Sequence, residues 1–373
     1  MKISVIGLGV YSLAISKMLA KKDNEIWIWT EDNKKCEEFK ETKKVSSIID
    51  TPIPQNIKIS TSLEKVLENT ELIYLITASK YVDIITKKMK PYYKKNIPIC
   101  IASKGIEESK EELLSNIVKN ALKTNHIAVI SGPTFAIDII NNEPIALALA
   151  SMSGKAKNKV LETLPNETLK LRVSKDIIGI QICGAIKNVI AIASGILMGL
   201  GYSNSTQAFL INESLHDIKD MIYYFGGNPK TILSFAGIGD LMLTCTSTKS
   251  RNFSFGYLIG STKNRKKILK YLENNTVEGY NTLDTTTLSL FKVFSLLHTT
   301  VTFKLKPSFL ASFRIFLAKG SSEVLSSLVT ITSLGLSLFP VPIDEIKVIL
   351  LSSAYFISNN LAGTSSHASI IKS

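Results

Sequence analysis

The chain opens with a β-rich run, Lys2-Ile3-Ser4-Val5-Ile6, that passes directly into Gly7-Leu8-Gly9-Val10-Tyr11-Ser12 and then into a helical stretch. This order of strand, glycine turn and helix limits the fold more than any other feature. The first glycine makes a tight turn and the second lets the backbone come close to a bound group. The helix N-terminus behind them carries partial positive charge suited to a phosphate. The third small position, which lets helix pack on strand, is Ser12 rather than glycine. A turn of this kind between a strand and a helix is the fingerprint of dinucleotide binding, so Gly7, Gly9, Val10, Tyr11 and Ser12 are candidate cofactor residues. The apolar N-terminal run superficially resembles a signal peptide. Ser4, the glycines and Lys17 interrupt it, and no small-residue cleavage site ends it.

Beyond the turn, short β-rich runs alternate with helical stretches as far as residue 174. Strands are expected at Ile3–Ile6, Glu25–Trp29, Leu72–Thr77, Pro98–Ser103, His126–Ser131, Ile145–Ala150 and Leu169–Val173. Helices are expected at Ser12–Lys22, Leu63–Glu68, Tyr81–Met89, Lys110–Lys123 and Lys155–Leu164. Buried strands alternating with helices imply a mostly parallel sheet covered on both faces, a doubly wound Rossmann-like α/β domain over residues 1–175. The second strand runs out into Thr30-Glu31-Asp32. A carboxylate there, Glu31 in the first instance, accepts hydrogen bonds from a ribose and repels a 2′-phosphate, which favours NAD over NADP.

After Asp176 the strands stop. Ile177–Leu200 is a long apolar stretch split by Lys187 and Asn188, with Gly195, Gly199 and Gly201 expected to loosen its end. Gln207–Phe225 and Pro229–Phe235 also read as helical, giving an all-α substrate domain over 176–284. The split apolar run fits a buried helix lining a cleft better than a membrane span. From about Thr285 the texture changes: the remaining stretch holds 17 serines and ten charged residues. Its segment Val324–Ile343 has no charge, but four serines weaken the case for a membrane span, and no stable membrane insertion is expected.

The net charge of +13 reflects scattered lysines rather than one basic block. It suits anionic small substrates, and no zinc-finger spacing or RNA-binding aromatic signature points to nucleic acid. Four well-separated cysteines suggest reduced thiols in a cytoplasmic protein, with neither a metal site nor a disulfide framework.

Seven further segments occur in order: Ala102-Ser103-Lys104-Gly105, Ile130-Ser131-Gly132-Pro133-Thr134-Phe135-Ala136, Gly184-Ala185-Ile186-Lys187-Asn188-Val189-Ile190-Ala191, Gly237-Ile238-Gly239-Asp240-Leu241, Thr244-Cys245-Thr246, Ser250-Arg251-Asn252 and Val277-Glu278-Gly279-Tyr280. With these intervals the chain, from residue 3 to about 284, resembles the bacterial NAD(P)-dependent glycerol-3-phosphate dehydrogenase family. The resemblance implies reversible hydride transfer between NAD(P)H and dihydroxyacetone phosphate, giving sn-glycerol 3-phosphate for phospholipid synthesis, and a homodimer is a modest expectation. It also implies that Lys187 is the catalytic acid–base, with Asp240 orienting it or a substrate hydroxyl, and that Lys104 touches substrate and cofactor. A lysine inside an apolar helix loses solvation, so its pKa falls towards a useful value.

By the same resemblance Gly132, Thr134, Asn188, Thr244, Ser250, Arg251 and Asn252 meet the substrate, and Ala136, Arg251, Val277 and Glu278 the cofactor. Two departures stand out: Ser12 in place of glycine, and Ile137-Asp138 where a Lys-Glu pair is common. The tail at 285–373 does not resemble the family's closing helices, which suggests a different reading frame or an unrelated extension. The rival readings are a β-hydroxy acid or ketopantoate-type reductase, and a decayed member that binds cofactor without turnover.

Overall fold

The computed structural model describes residues 1–45, 53–107, 112–165, 167–262, 264–280 and 282. They fall in one compact unit, Met1–Thr286. The tail, with Val324–Ile343, lies outside the described residues.

The first half runs β1 (Lys2–Ile6), α1 (Val10–Ala20), β2 (Glu25–Trp29), α2 (Asn33–Thr42), β3 (Ile57–Ser60), α3 (Leu63–Leu67), β4 (Leu72–Leu75) and α4 (Val82–Met89). It continues with β5 (Ile99–Ile101), β6 (Ile106–Glu107), β7 (Glu112–Leu113), α5 (Leu114–Leu122), β8 (Ile127–Ser131), α6 (Ala136–Ile140), β9 (Ile145–Ala150), α7 (Gly154–Thr163) and β10 (Leu169–Ser174). After that come only helices: α8 (Ile177–Gly199), α9 (Asn204–Tyr224), α10 (Asp240–Thr246), α11 (Arg251–Ser261) and α12 (Arg265–Asn274).

Eight strands form one sheet in the order β10-β9-β8-β5-β4-β1-β2-β3. Every neighbouring pair is parallel except β8 with β9. The chain winds outward from β1 through β2 to β3, then crosses to the other side of β1 to begin β4. A doubly wound sheet opens its ligand crevice at such a reversal, beyond the carboxyl ends of the strands. Both faces of the sheet are covered. Ile3, Val5, Leu72 and Tyr74 belong to one core, while Ile6, Ile73 and Leu75 belong to the other. That is why these strands read as continuous apolar runs rather than alternating ones.

All seven expected strands are present, as is the change to helices after Asp176. Several elements were not expected, among them α6 and the short helices α10, α11 and α12. β3 is a four-residue strand, β6 and β7 make a separate two-stranded ribbon, and α2 buries only Cys36 and Phe39. The helix expected from Ser12 begins two residues earlier, at Val10.

α8 is long and apolar enough to cross a membrane, but 78% of its apolar window is buried inside the fold, as in the core helix of a globular protein. Gly195 and Gly199 do not loosen this helix; they lie within it and let α11 cross it at backbone contact. A Cβ at Gly195 would lie 2.1 Å from the Phe253 carbonyl oxygen, and one at Gly199 would lie 2.3 Å from that of Tyr257. The partner helix answers in kind. Gly256 and Gly260 would meet the carbonyls of Ile192 and Ile196 at 2.0 and 2.3 Å. Two Gly-x-x-x-Gly ridges therefore interlock, because only hydrogen fits where the two backbones touch.

Candidate active site

The glycine turn folds as its sequence demands. Gly7 has φ +115°, and a Cβ there would lie 2.2 Å from the Ile76 carbonyl oxygen, so no other residue fits. A Cβ at Gly9, by contrast, would find nothing within 4 Å, which leaves open space beside the start of α1. No side chain caps that helix. Ser12 is buried, and its hydroxyl accepts the Gly9 N–H at 2.7 Å. The missing third glycine thus becomes a brace across the turn. Open space over uncapped helix amides is the chemistry a pyrophosphate needs, so the turn fits a dinucleotide. Ala136 opens α6, which packs on α1, and Tyr11 and Ala136 both border the same core.

Across the crevice, Lys187 projects from the middle of α8 and is 6% exposed. Its ammonium donates to Asp240 Oδ1 at 2.6 Å and to Thr244 Oγ1 at 3.1 Å. Lys104, three residues past β5, donates to the other carboxylate oxygen, Asp240 Oδ2, at 3.0 Å. Asp240 is 1% exposed and begins α10 directly after Phe235–Gly239, a segment kinked at Gly237, where ψ is −111°. The kink, where a Cβ at Gly237 would lie 2.1 Å from the Ile232 carbonyl oxygen, lets α10 start with its carboxylate between two lysines. Gly184 lies one turn before Lys187, where a Cβ would make ordinary contact with Ser131 Oγ at 3.4 Å and Lys104 Cγ at 3.8 Å, so this face of α8 runs alongside both side chains.

Two ammoniums and one carboxylate leave one net positive charge in a water-poor site. Burial lowers the Lys187 pKa to about 8, the Lys104 ammonium adding to the fall against the pull of Asp240. Burial opposes the Lys104 ammonium too, but Asp240 outweighs it and holds this lysine above its ordinary value. Asp240 stays below the usual carboxylate range because its two ammoniums overcome its burial. The first proton to leave the cluster is therefore the one on Lys187.

A second network reaches outward from α8. Asn188 donates its amide to Glu278 at 3.1 Å, Asn252 donates to Asn188 Oδ1 at 3.1 Å, and the Gly279 N–H donates to Asn252 Oδ1 at 2.9 Å. These bonds tie Val277-Glu278-Gly279 to α8 and α11, with Val277 buried. Each asparagine keeps a second amide hydrogen. Ser250 caps α11 by accepting the Phe253 N–H, and Arg251 stands exposed in the first turn of that helix. Gly132 is buried where a Cβ would meet the Ala146 carbonyl oxygen at 2.5 Å, and it leads into Thr134, also buried. Glu31 lies two residues past β2, exposed and paired with Lys88. Asp138, at the departure after Ala136, pairs with Lys249.

Two contributors went unforeseen. The Ser131 hydroxyl lies 3.5 Å from Asp240 Oδ2, and the Ser103 hydroxyl accepts the Thr77 N–H, bracing the loop that carries Lys104. Both serines sit inside segments already singled out, so position was their only signal. Among the described residues no group of His, Cys, Asp and Glu is arranged to hold a metal ion.

Comparison with known proteins agrees over the same span. A family model for the N-terminus of NAD-dependent glycerol-3-phosphate dehydrogenase matches residues 2–157, and one for its C-terminus matches residues 176–295. The glycerol-3-phosphate dehydrogenase (NAD(P)+) of Thermoanaerobacter sp. (strain X514) is 36% identical over 282 residues, covering 76% of this chain and 85% of that protein. The corresponding protein of Wolbachia sp. subsp. Brugia malayi (strain TRS) is 32% identical over 288 residues, covering 76% and 88%. Among solved structures, glycerol-3-phosphate dehydrogenase from Coxiella burnetii superimposes with a TM-score of 0.74 at 27% identity, covering 88% of this chain and 98% of that one.

Proposed function

The chain belongs to the NAD-dependent glycerol-3-phosphate dehydrogenase family, and we propose that it carries out that chemistry through the buried Lys187–Asp240–Lys104 cluster. It is an NAD(P)-dependent oxidoreductase acting on a CH–OH group, interconverting dihydroxyacetone phosphate and sn-glycerol 3-phosphate. The product serves phospholipid synthesis.

Gly7, Gly9, Val10, Tyr11 and Ser12 would hold the cofactor's pyrophosphate at the start of α1, Lys104, Ala136 and Arg251 would also meet the cofactor, and Val277 and Glu278 would close over its nicotinamide side. Bound there, the cofactor supplies the hydride for the substrate's carbonyl carbon. Lys187 gives its proton to the carbonyl oxygen as negative charge develops, and takes it back as a neutral amine in the reverse direction. Asp240 fixes the direction of the Lys187 ammonium, and Thr244 shares that task. Lys104 keeps its charge throughout and stabilises the developing alkoxide. Arg251, at the N-terminus of α11 with Ser250 and Asn252 beside it, suits the phosphate dianion. The spare amide hydrogens of Asn188 and Asn252, with Gly132 and Thr134 opposite, complete the substrate's surroundings.

The observation that carries this reading is a lysine buried in an apolar helix, gripping a carboxylate shared with a second lysine. Oxidation of NADH and of NADPH with dihydroxyacetone phosphate tests it. Turnover is expected, greater with NADH because Glu31 disfavours a 2′-phosphate, and Lys187→Ala should lower kcat by about 10²–10⁴-fold. An inactive chain that still binds cofactor would favour the decayed-member reading. Residence in the cytoplasm and pairing through the helical region belong to the same proposal.

A further inference from the structure

α10 is only seven residues long, Asp240–Thr246, yet it carries both partners of the Lys187 ammonium. It stops abruptly at Ser247, whose backbone is extended. The carbonyls of a final helical turn have no partner within the helix, and a buried one must find a donor elsewhere. The carbonyl of Cys245, a fully buried residue, finds two. Ser194 Oγ donates to it at 2.8 Å, and Gln207 Nε2 donates to it at 3.0 Å. Gln207 also donates to Ser194 Oγ at 3.0 Å, so one amide group serves the serine and the carbonyl together. Ser194 belongs to α8 and Gln207 to α9, and both are buried. Three helices thus meet in a neutral hydrogen-bonded clamp on the residue next to Thr244.

The clamp has a place in the proton chemistry. Ser194 lies seven residues beyond Lys187, two turns along the same face of α8. α10 is therefore fastened to α8 twice, at Lys187 through Asp240 and Thr244 and at Ser194 through Cys245. The first fastening depends on charge. An ammonium grips a carboxylate far better than a neutral amine does, and Lys187 alternates between the two in the proposed reaction. The Thr244 hydroxyl also donates to the Asp240 carbonyl at 2.6 Å, tying the two ends of this short helix together. The second fastening has no titrating side chain and holds at every stage. We propose that Gln207 and Ser194 are positioning residues, which keep Asp240 and Thr244 in register with Lys187 while that lysine is without its proton. This rests on the proposed dehydrogenase reaction.

Gln207→Met removes the amide at similar volume, and Ser194→Ala removes the hydroxyl. Each leaves the Cys245 carbonyl one donor, while the double variant of the full-length chain leaves it none. Each single variant should lower kcat for dihydroxyacetone phosphate reduction by about threefold, and the double variant by about tenfold or more, the rate equivalent of one net hydrogen bond. KM for dihydroxyacetone phosphate and the NADH dissociation constant should stay within about twofold, because Arg251 and the glycine turn are untouched. The alkaline limb of the reduction profile should move to lower pH in the same order, since a freed α10 relaxes away from the neutral amine and so favours that form. Urea midpoints identify a variant that is simply unfolded; if the double variant is, the two single variants carry the test. A lowered kcat with an unmoved limb would make the clamp merely structural. An unchanged kcat, or a loss that falls on KM, would equally overturn the proposal. A folded, NADH-binding unaltered chain without turnover would instead remove the dehydrogenase reading itself, and this role with it.

Discussion

Lys187 and Lys104 compete for one carboxylate, and the outcome sets how activity depends on pH. With the Lys187 pKa lowered to about 8, the ammonium needed for reduction is complete below that pH and lost above it. Hence kcat/KM for dihydroxyacetone phosphate should be level in acid and fall as pH rises through about 8, while glycerol 3-phosphate oxidation rises over the same interval. Asp240→Asn removes the attraction that supports the Lys187 charge, so both limbs should move to lower pH and turnover should drop by about 10²-fold or more. Matched pH profiles of the two proteins check this, and an unmoved limb would assign the titration to another group. Lys187 and Asp240 were legible in the sequence because each interrupts a pattern, a charge in an apolar helix and an acid after paired glycines.

At the scale of elements, the strands with long apolar runs could be read directly. β3 was not, because four residues of Ile-Lys-Ile-Ser carry too little pattern. Nor was α2, whose single buried edge of Cys36 and Phe39 is swamped by charge. The α8–α11 crossing was misread for a different reason. Gly195 and Gly199 look like helix breakers until Gly256 and Gly260, some sixty residues on, supply the surface they fit. Adding a methyl group at that crossing forces two backbones apart, so Gly195→Ala or Gly256→Ala should cost about 1–3 kcal/mol of stability. Urea unfolding of each variant measures that. Because α8 carries Lys187 and α11 begins at Arg251, kcat/KM should fall as well. An unchanged midpoint would mean the helices can separate without cost.

For the whole molecule, the family pattern was legible through Val277-Glu278-Gly279-Tyr280, and the match to family models ends at residue 295. The serine-rich stretch beyond it carries no periodicity from which a fold could be argued. We propose that it arises from a shift of reading frame between about residue 285, where the composition changes, and residue 295, where the family match ends. The gene should then encode, in another frame downstream, amphipathic helices of the family kind; stop codons throughout both other frames would refute this.

The glycine crossing bears on motion as well as stability. Backbones in contact slide or pivot far less freely than helices separated by side chains, so α8 and α11 act as a single plate. Lys187 and Arg251, the proposed proton donor and phosphate ligand, ride on that plate together, so their spacing should not breathe as substrate comes and goes.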